Sequence, residues 1–138
     1  MSLRILVVDD HRDAADSLAD QLYLMGHEVR AVYDGPTALG LVAKLRPALV
    51  LLDLVMPHVD GFEVARKLRA SEMPLTIVAV TGLGQEEYID RCKKEGFDHH
   101  ILKPAAPADL QTLVQFVESS PQWPKLGTPV PNLPSCST

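Results

Sequence analysis

Two hydrophobic patterns alternate along most of the chain, and each is typical of one kind of secondary structure. Short runs rich in valine, isoleucine and leucine predict five β-strands, at residues 5–8, 29–33, 49–52, 75–80 and 100–102. Between and after them, apolar residues recur every three or four positions, which predicts five helices. Four of them have their apolar faces at residues 14–25, 38–45, 61–68 and 110–117, and the remaining helix is predicted over residues 86–95. Gly26 and Gly96 are placed to end two of these helices.

The strand–helix unit occurs five times, which predicts a parallel sheet with helices on both faces. The first, third and fourth strands are almost wholly apolar, as central strands of such a sheet should be. The second and fifth strands mix polar with apolar residues and are therefore predicted to be the edges. The pattern predicts an α/β three-layer sandwich, the flavodoxin-like (βα)5 fold with strand order 2-1-3-4-5.

Length and composition favour one globular domain. The chain has 138 residues, 46% of them hydrophobic, and its net charge of −5 argues against direct binding to nucleic acid. The two cysteines, Cys92 and Cys136, show no metal-binding spacing, and no segment has the apolar length of a signal peptide or a membrane helix. We therefore expect a cytoplasmic protein whose domain makes no membrane contact.

The composition changes near residue 119. Residues 119–138 contain five of the 11 prolines, and their apolar residues follow no period. We therefore expect a domain over residues 1–118, followed at 119–138 by a flexible tail or linker.

Chemically versatile residues follow four of the predicted strands. Asp9 and Asp10 come after the first strand, Asp53 after the third, Thr81 after the fourth and Lys103 after the fifth. Because the carboxyl ends of parallel strands meet at one edge of a sheet, these side chains are predicted to converge there.

Each of these residues also has a plainer interpretation. Asp10 alone would more often cap a helix, Thr81 would belong to a turn and Lys103 would be a solvated surface lysine. Asp53 fits no such alternative, since the run ALVLLDLVMP at 48–57 offers it no helix to cap. The coincidence at four strand ends favours a functional cluster.

Three carboxylates at one edge repel each other unless a cation lies among them. Mg²⁺, or Mn²⁺ in its place, suits carboxylate and carbonyl ligands. Beside such a cation, Asp53 could act as a nucleophile toward a phosphoryl group, and Lys103 and Thr81 could bind the phosphoryl oxygens.

The segments VVDD, LLDLVMPHVDGFEVARKLR, VAVTG and ILKP together resemble the receiver domain of two-component response regulators, over roughly residues 4–118. The resemblance implies that Asp53 is the phospho-acceptor, that Lys103 binds the phosphate and that Thr81 is the switch hydroxyl. It further implies a metal site of Asp10, Asp53 and the carbonyl of Val55, with Asp9 acting mainly through water. A cis peptide bond before Pro104 is also implied.

By the same resemblance, the phosphoryl donor is a phosphohistidine on a histidine kinase or a histidine phosphotransfer domain. The domain would catalyse its own phosphorylation and dephosphorylation. The segment at residues 84–104 also looks like receivers at the C-terminal ends of hybrid sensor histidine kinases. A stand-alone receiver, a piece of a hybrid kinase and a homodimer are all left open.

The chain departs from the family pattern at several places that bear on output. His100 stands where many members have tyrosine or phenylalanine, and Ala105 where many have phenylalanine, so the switch through Thr81 and His100 could be muted or rewired. We expect His100 to be exposed on the edge strand, and we expect no shared metal with His99 because neighbouring strand residues face opposite ways. Apolar Val55 and Leu83 predict a long-lived acyl phosphate.

Three other classes of protein fit the sequence less well than a receiver domain. A haloacid dehalogenase-type phosphohydrolase needs an acid two residues after the nucleophile, where this chain has Val55. A flavin-binding domain needs an anion-binding loop after the first strand, whereas DDHRD is acidic. A receiver-like interaction module that works without phosphorylation stays open because of His100 and Ala105.

Overall fold

A five-stranded parallel sheet forms the centre of the molecule. The computed structural model describes residues 3–56, 59–71, 75–82, 90–92, 94–103 and 105–119. The strands are β1 (Arg4–Val8), β2 (Glu28–Val32), β3 (Leu49–Asp53), β4 (Thr76–Thr81) and β5 (His99–Leu102). They pair in the order β2-β1-β3-β4-β5, which confirms the predicted fold class and strand order.

Helices connect and cover the strands. They are α1 (Arg12–Leu24), α2 (Gly35–Leu45), α3 (Gly61–Ala70) and a last helix, Pro107–Ser119. Residues 90–92 and 94 are also helical, while residues 86–89 and 93 of the predicted helix at 86–95 lie outside the described residues. Gly26 and Gly96 have φ of +97° and +93°, so each supplies the left-handed residue that ends a helix, as predicted.

The core consists of two apolar clusters, one on each face of the sheet. The first lies on the side of α2 and α3 and includes Leu52 and Phe62, and the second lies on the side of α1 and the last helix and includes Leu51 and Val80. Strands β3 and β4 are buried along their whole length because helices cover both faces. This explains why their sequences lack the alternation of apolar and polar residues that is typical of a strand with only one buried face.

The expectation that His100 is exposed was wrong. His100 is 5% exposed and His99 is fully buried. An edge strand of a parallel sheet leaves only its outer backbone unpaired, whereas both of its faces can still be covered. His99 packs edge-on against Phe116 of the last helix, with ring centroids 6.2 Å apart.

The two histidines face opposite sides of the sheet, as predicted. In the register of β4 with β5, His99 pairs with Val78 of the second core cluster and His100 with Ala79 of the first. This arrangement argues against a metal shared between their rings.

One feature of the backbone was not predicted. Val55–Met56 and Val59–Asp60 form a short antiparallel pair directly after β3. The tail was predicted at 119–138; Ser119 is the end of the last helix, and residues 120–138 lie outside the described residues. Among the helices of the described part of the chain, none is both long enough and apolar enough to cross a membrane.

Candidate functional site

Three carboxylates meet at the carboxyl edge of the sheet, as the sequence predicted. Asp9, Asp10 and Asp53 each place one carboxylate oxygen within 4.8 Å of the others. The cause is strand register: Val8 pairs with Leu52, so the residues that follow them, Asp9 and Asp53, lie side by side. Asp9 and Asp53 are each only 6% exposed, and Asp10 is the most exposed of the three.

Lys103 completes this group. Its Nζ donates a hydrogen bond to Asp9 Oδ2 at 2.9 Å and lies 3.6 Å from Asp53 Oδ1. Partial burial of the ammonium lowers the pKa of Lys103, but the hydrogen bond to Asp9 and the charge of Asp53 outweigh this, so the pKa is raised. The lysine therefore keeps its positive charge at neutral pH.

The ends of β4 and β5 are fixed to each other by the backbone. The Lys103 amide donates to the carbonyl of Thr81 at 2.9 Å, which extends the strand pairing to these two predicted site residues. Asp53 pairs with Val80, so buried Thr81 lies one position beyond the partner of Asp53. Thr81 also shares a sheet face with His100, because Ala79 pairs with His100 and strand residues alternate.

Asp9 is held by two donors. Its Oδ1 accepts from the His11 amide at 3.0 Å, while Oδ2 accepts from Lys103. His11 also caps α1, since its Nδ1 accepts from the Ala14 amide at 3.2 Å. The plainer interpretation of Asp10 as the helix cap is therefore wrong. His11 could not be predicted as the cap, because histidine is not a favoured N-cap residue.

Gly61 lies directly against the end of β3. A Cβ atom at this position would lie 2.5 Å from the carbonyl oxygen of Asp53 and 2.8 Å from Leu54 Cα. Only glycine lets α3 begin this close to the end of β3. In the sequence, Asp60 and Gly61 indicated a helix start and nothing more.

Three further predictions depend on residues that the structure describes only in part. The backbone of Val55 lies two residues beyond Asp53 and pairs with Asp60. Leu83 and Pro104 lie outside the described residues. The predicted metal contact of the Val55 carbonyl, the long-lived acyl phosphate and the cis peptide bond therefore stay predictions.

The donor set fits a divalent cation. Three carboxylates against one ammonium leave a net charge of −2 (−3 + 1), and carboxylate oxygens are the ligands that Mg²⁺ and Mn²⁺ accept. Asp9, Asp53 and Lys103 also form one end of a cavity of about 440 Å³, which leaves room for other molecules beside the carboxylates.

The fold and the acidic edge together define a receiver domain. The chain belongs to the response regulator receiver domain family, whose sequence pattern matches residues 5–115. It is thus a receiver domain of the two-component systems, as the resemblance predicted.

Individual relatives agree with this assignment. The chain is 38% identical over 110 residues to the response regulator MprA of Mycobacterium tuberculosis, a match covering 80% of this chain and 48% of that protein. The chain therefore spans about half the length of the curated relatives it matches.

Solved structures show the same likeness. The chemotaxis protein CheY4 of Vibrio cholerae superposes with a TM-score of 0.80 at 27% identity, over 85% of this chain and 99% of that one. A CheY-like response regulator receiver domain protein of Methanospirillum hungatei gives 0.78 at 27% identity, over 86% and 95%.

Proposed function

We propose that this receiver domain accepts a phosphoryl group on Asp53 and thereby changes the surfaces it offers to partners. One observation carries the proposal: the Asp53 carboxylate lies at the meeting point of two other carboxylates and the Lys103 ammonium. Three acids beside a lysine at the carboxyl ends of parallel strands, where α/β sheets bind their ligands, are the arrangement expected of a functional site.

The donor in this proposal is a phosphohistidine on a histidine kinase or a histidine phosphotransfer domain. An oxygen of Asp53 attacks the phosphorus and a P–O bond forms. The P–N bond breaks, and its electron pair leaves with the imidazole nitrogen of the partner, which takes a proton from solvent. The product is an acyl phosphate on Asp53.

Lys103 and the acids Asp9 and Asp10 would have different electrostatic roles. Lys103 Nζ, already 3.6 Å from Asp53, would bind a phosphoryl oxygen and stabilise its growing negative charge. Asp10, Asp53 and the Val55 carbonyl would hold Mg²⁺ or Mn²⁺, with Asp9 acting mainly through water. When bound, the cation supplies positive charge to the phosphoryl oxygens. Asp9, fixed by His11 and Lys103, keeps the lysine aimed at the site.

The response to phosphorylation would run through Thr81 and His100. Both are buried, and they share one face of β4 and β5. The Thr81 hydroxyl would donate to a phosphoryl oxygen, and its movement would repack the space beside His100. Because His100 is already buried, this switch is proposed to act by repacking inside the protein.

The boundaries belong to the same proposal: a receiver at 1–118 and a tail or linker at 119–138. The domain would work either alone or as part of a hybrid histidine kinase, in the cytoplasm. It would have no direct contact with nucleic acid or membrane.

The first test is intact-mass spectrometry after incubation with acetyl phosphate and Mg²⁺. We expect one phosphoryl adduct that disappears in Asp53→Asn and in metal-free buffer. Asp20→Asn changes an exposed acid of α1 outside the cluster and should keep the adduct. Absence of the adduct when Mg²⁺ binding is demonstrated would favour the interaction module that works without phosphorylation.

A further inference from the structure

Arg91 contacts the residues on both sides of Gly61. Its Nη2 donates to Asp60 Oδ2 at 3.3 Å, and its guanidinium lies over the ring of Phe62, with Cζ 4.0 Å from the ring centroid. Gly61 is the residue whose backbone lies directly against the carbonyl of Asp53. One arginine side chain therefore holds the start of α3 at the place where this helix meets the end of β3.

Both oxygens of the Asp60 carboxylate accept hydrogen bonds. Oδ1 accepts from the Phe62 amide at 2.9 Å and caps α3, while Oδ2 accepts from Arg91. The backbone of Asp60 also pairs with Val55 in the short antiparallel pair after β3. A shift of Asp60 would therefore move both the first turn of α3 and the backbone of Val55, whose carbonyl belongs to the proposed cation site.

The ring beneath the guanidinium is fixed in the core. Phe62 is 2% exposed and packs edge-on against Phe97, with ring centroids 5.8 Å apart and an angle of 87° between the rings. A planar guanidinium can lie on an aromatic face while its nitrogens bind a carboxylate. Because the Phe62 ring is held by its neighbours, it orients the guanidinium of Arg91 toward Asp60.

We propose that Arg91 is a positioning residue for the divalent cation of the phospho-acceptor site. It acts through Asp60 and Phe62, which set where the backbone of Val55 lies relative to Asp53. The inference rests on the proposed function, because that proposal assigns the Val55 carbonyl to the cation.

The strength of these contacts sets the size of the expected effect. The side chains of Arg91 and Asp60 are 48% and 42% exposed, so water screens their attraction and the ion pair alone is weak. Loss of a residue that directly orients a metal ligand weakens metal binding by about tenfold to a hundredfold. Arg91 is one contact further away, so we expect a smaller effect, of about threefold to tenfold.

A second arginine provides a matched control. Arg66 of α3 forms an ion pair with Glu95, which follows Arg91 by four residues in the chain. This pair joins the same two parts of the molecule, and its arginine is 51% exposed, close to the value for Arg91. Replacing Arg66 therefore removes the same charge and the same kind of contact without touching Asp60 or Phe62.

The sign of the effect separates positioning from charge. Arg91 is a cation, so on electrostatic grounds alone its removal would leave Mg²⁺ binding unchanged or make it tighter. Positioning predicts weaker binding, because the backbone of Val55 is then less firmly held. Only the second effect depends on contact with Asp60 and Phe62.

The test measures Mg²⁺ binding to the full chain by isothermal titration calorimetry. Methionine keeps the helix propensity of arginine, and we expect Arg91→Met to raise the Kd by about threefold to tenfold. Arg66→Met should keep the wild-type Kd or lower it slightly. Arg91→Lys keeps a cation that can contact Asp60 and Phe62, so its Kd should lie between those of wild type and Arg91→Met.

A second measurement distinguishes positioning of the cation from general damage to the fold. Labelling of Asp53 by acetyl phosphate should slow in Arg91→Met at low Mg²⁺ and return to within about twofold of wild type at saturating Mg²⁺. A generally loosened fold would stay slow at every Mg²⁺ concentration, and that outcome would overturn the positioning role. Urea denaturation should give similar stabilities for Arg91→Met and Arg66→Met.

A double variant tests the route through Asp60. Asp60→Asn keeps an oxygen that can cap α3 but removes the charge that binds Arg91. On a logarithmic scale, the effect of Arg91→Met on the Mg²⁺ Kd should therefore shrink to about half or less in the Asp60→Asn background. An undiminished effect would overturn the route through Asp60.

The outcomes also separate this proposal from the proposed function. Equal Mg²⁺ Kd values for wild type and Arg91→Met, or tighter binding in both methionine variants, would overturn the positioning role even where Asp53 is labelled normally. If wild type binds Mg²⁺ and takes up no phosphoryl group, the proposed function fails, while the Kd values still decide the role of Arg91.

Discussion

Lys103 Nζ donates a hydrogen bond to Asp9 Oδ2 at 2.9 Å, although 94 residues separate the two in the chain. At the carboxyl edge of the sheet, the contact joins the end of β1 to the loop after β5. It also holds the Lys103 ammonium beside Asp53, at 3.6 Å.

Replacing Lys103 should slow phosphorylation more than it destabilises the fold. Lys103→Gln removes a charge-assisted contact to the phosphoryl oxygens, so we expect the labelling rate with acetyl phosphate to fall by about tenfold to a hundredfold. Lys44→Gln, in the last turn of α2, is the matched control and should label at the wild-type rate. Equal rates for the two variants would contradict a role of Lys103 at the phosphoryl group.

Divalent cations should stabilise the protein through the acidic cluster. Binding of Mg²⁺ to the folded state alone at a hundred times its Kd would raise the free energy of unfolding by about 2.7 kcal/mol. Urea denaturation with Mg²⁺ and with EDTA measures this difference. We expect Asp10→Asn to lose most of it and Asp20→Asn to keep it. A Mg²⁺ effect of the same size in both variants would show that the cation binds elsewhere.

Gly61 should tolerate no side chain. In Gly61→Ala the new Cβ would overlap the carbonyl oxygen of Asp53 at 2.5 Å, so the end of β3 or the start of α3 must shift. We expect a loss of about 1–3 kcal/mol in the free energy of unfolding and at least about tenfold slower labelling of Asp53.

Gly40→Ala is the contrasting case. Beyond the neighbouring residues and backbone of α2 itself, no atom of the described residues lies within 4 Å of a Cβ at this helical position, so alanine should raise stability by about 0.5–1 kcal/mol and leave labelling unchanged. Chemical denaturation and intact-mass labelling of both variants check the pair. Wild-type labelling by Gly61→Ala would show that the glycine does not position the acceptor.

His99 should make stability fall as the solution is acidified. Burial, and to a smaller extent the nearby His100, lower the pKa of His99 from 6.5 to about 4. Between these values the unfolded chain binds a proton that the folded chain does not, so stability decreases as pH falls from about 6.5 to about 4. The whole shift corresponds to about 3 kcal/mol.

The variant His99→Leu keeps an apolar contact for Phe116 and removes the titrating ring. Its free energy of unfolding, measured by urea denaturation from pH 7 to pH 4, should change less with pH than that of wild type. Burial also lowers the pKa of His100, so a smaller dependence of the same sign should persist in the variant. An unchanged slope in His99→Leu would rule out His99 as its source.

Much of the site could be predicted because most of its residues directly follow the carboxyl ends of strands. Apolar runs and helical periods located the five strands, and the parallel order implied that residues after β1, β3, β4 and β5 share one edge. Asp9, Asp10, Asp53 and Lys103 were found in this way, before any distance was known. His11 and Gly61 were not predicted. His11 contacts Asp9 through its backbone amide, which nearly every residue has, and Gly61 matters because there is no room for a side chain at its position.

The sequence by itself determined the five strands of the sheet and their order, four of the helices and the residues at the carboxyl edge, since local periodicity directly reflects how each segment is buried. Only the tertiary structure decided that His99 and His100 are buried, that His11 and not Asp10 caps α1, and that a cavity lies beneath Ala14, Ser17 and Gln21. These features depend on how closely distant segments approach one another. Packing of whole helices against the sheet sets those distances, and no local pattern encodes them.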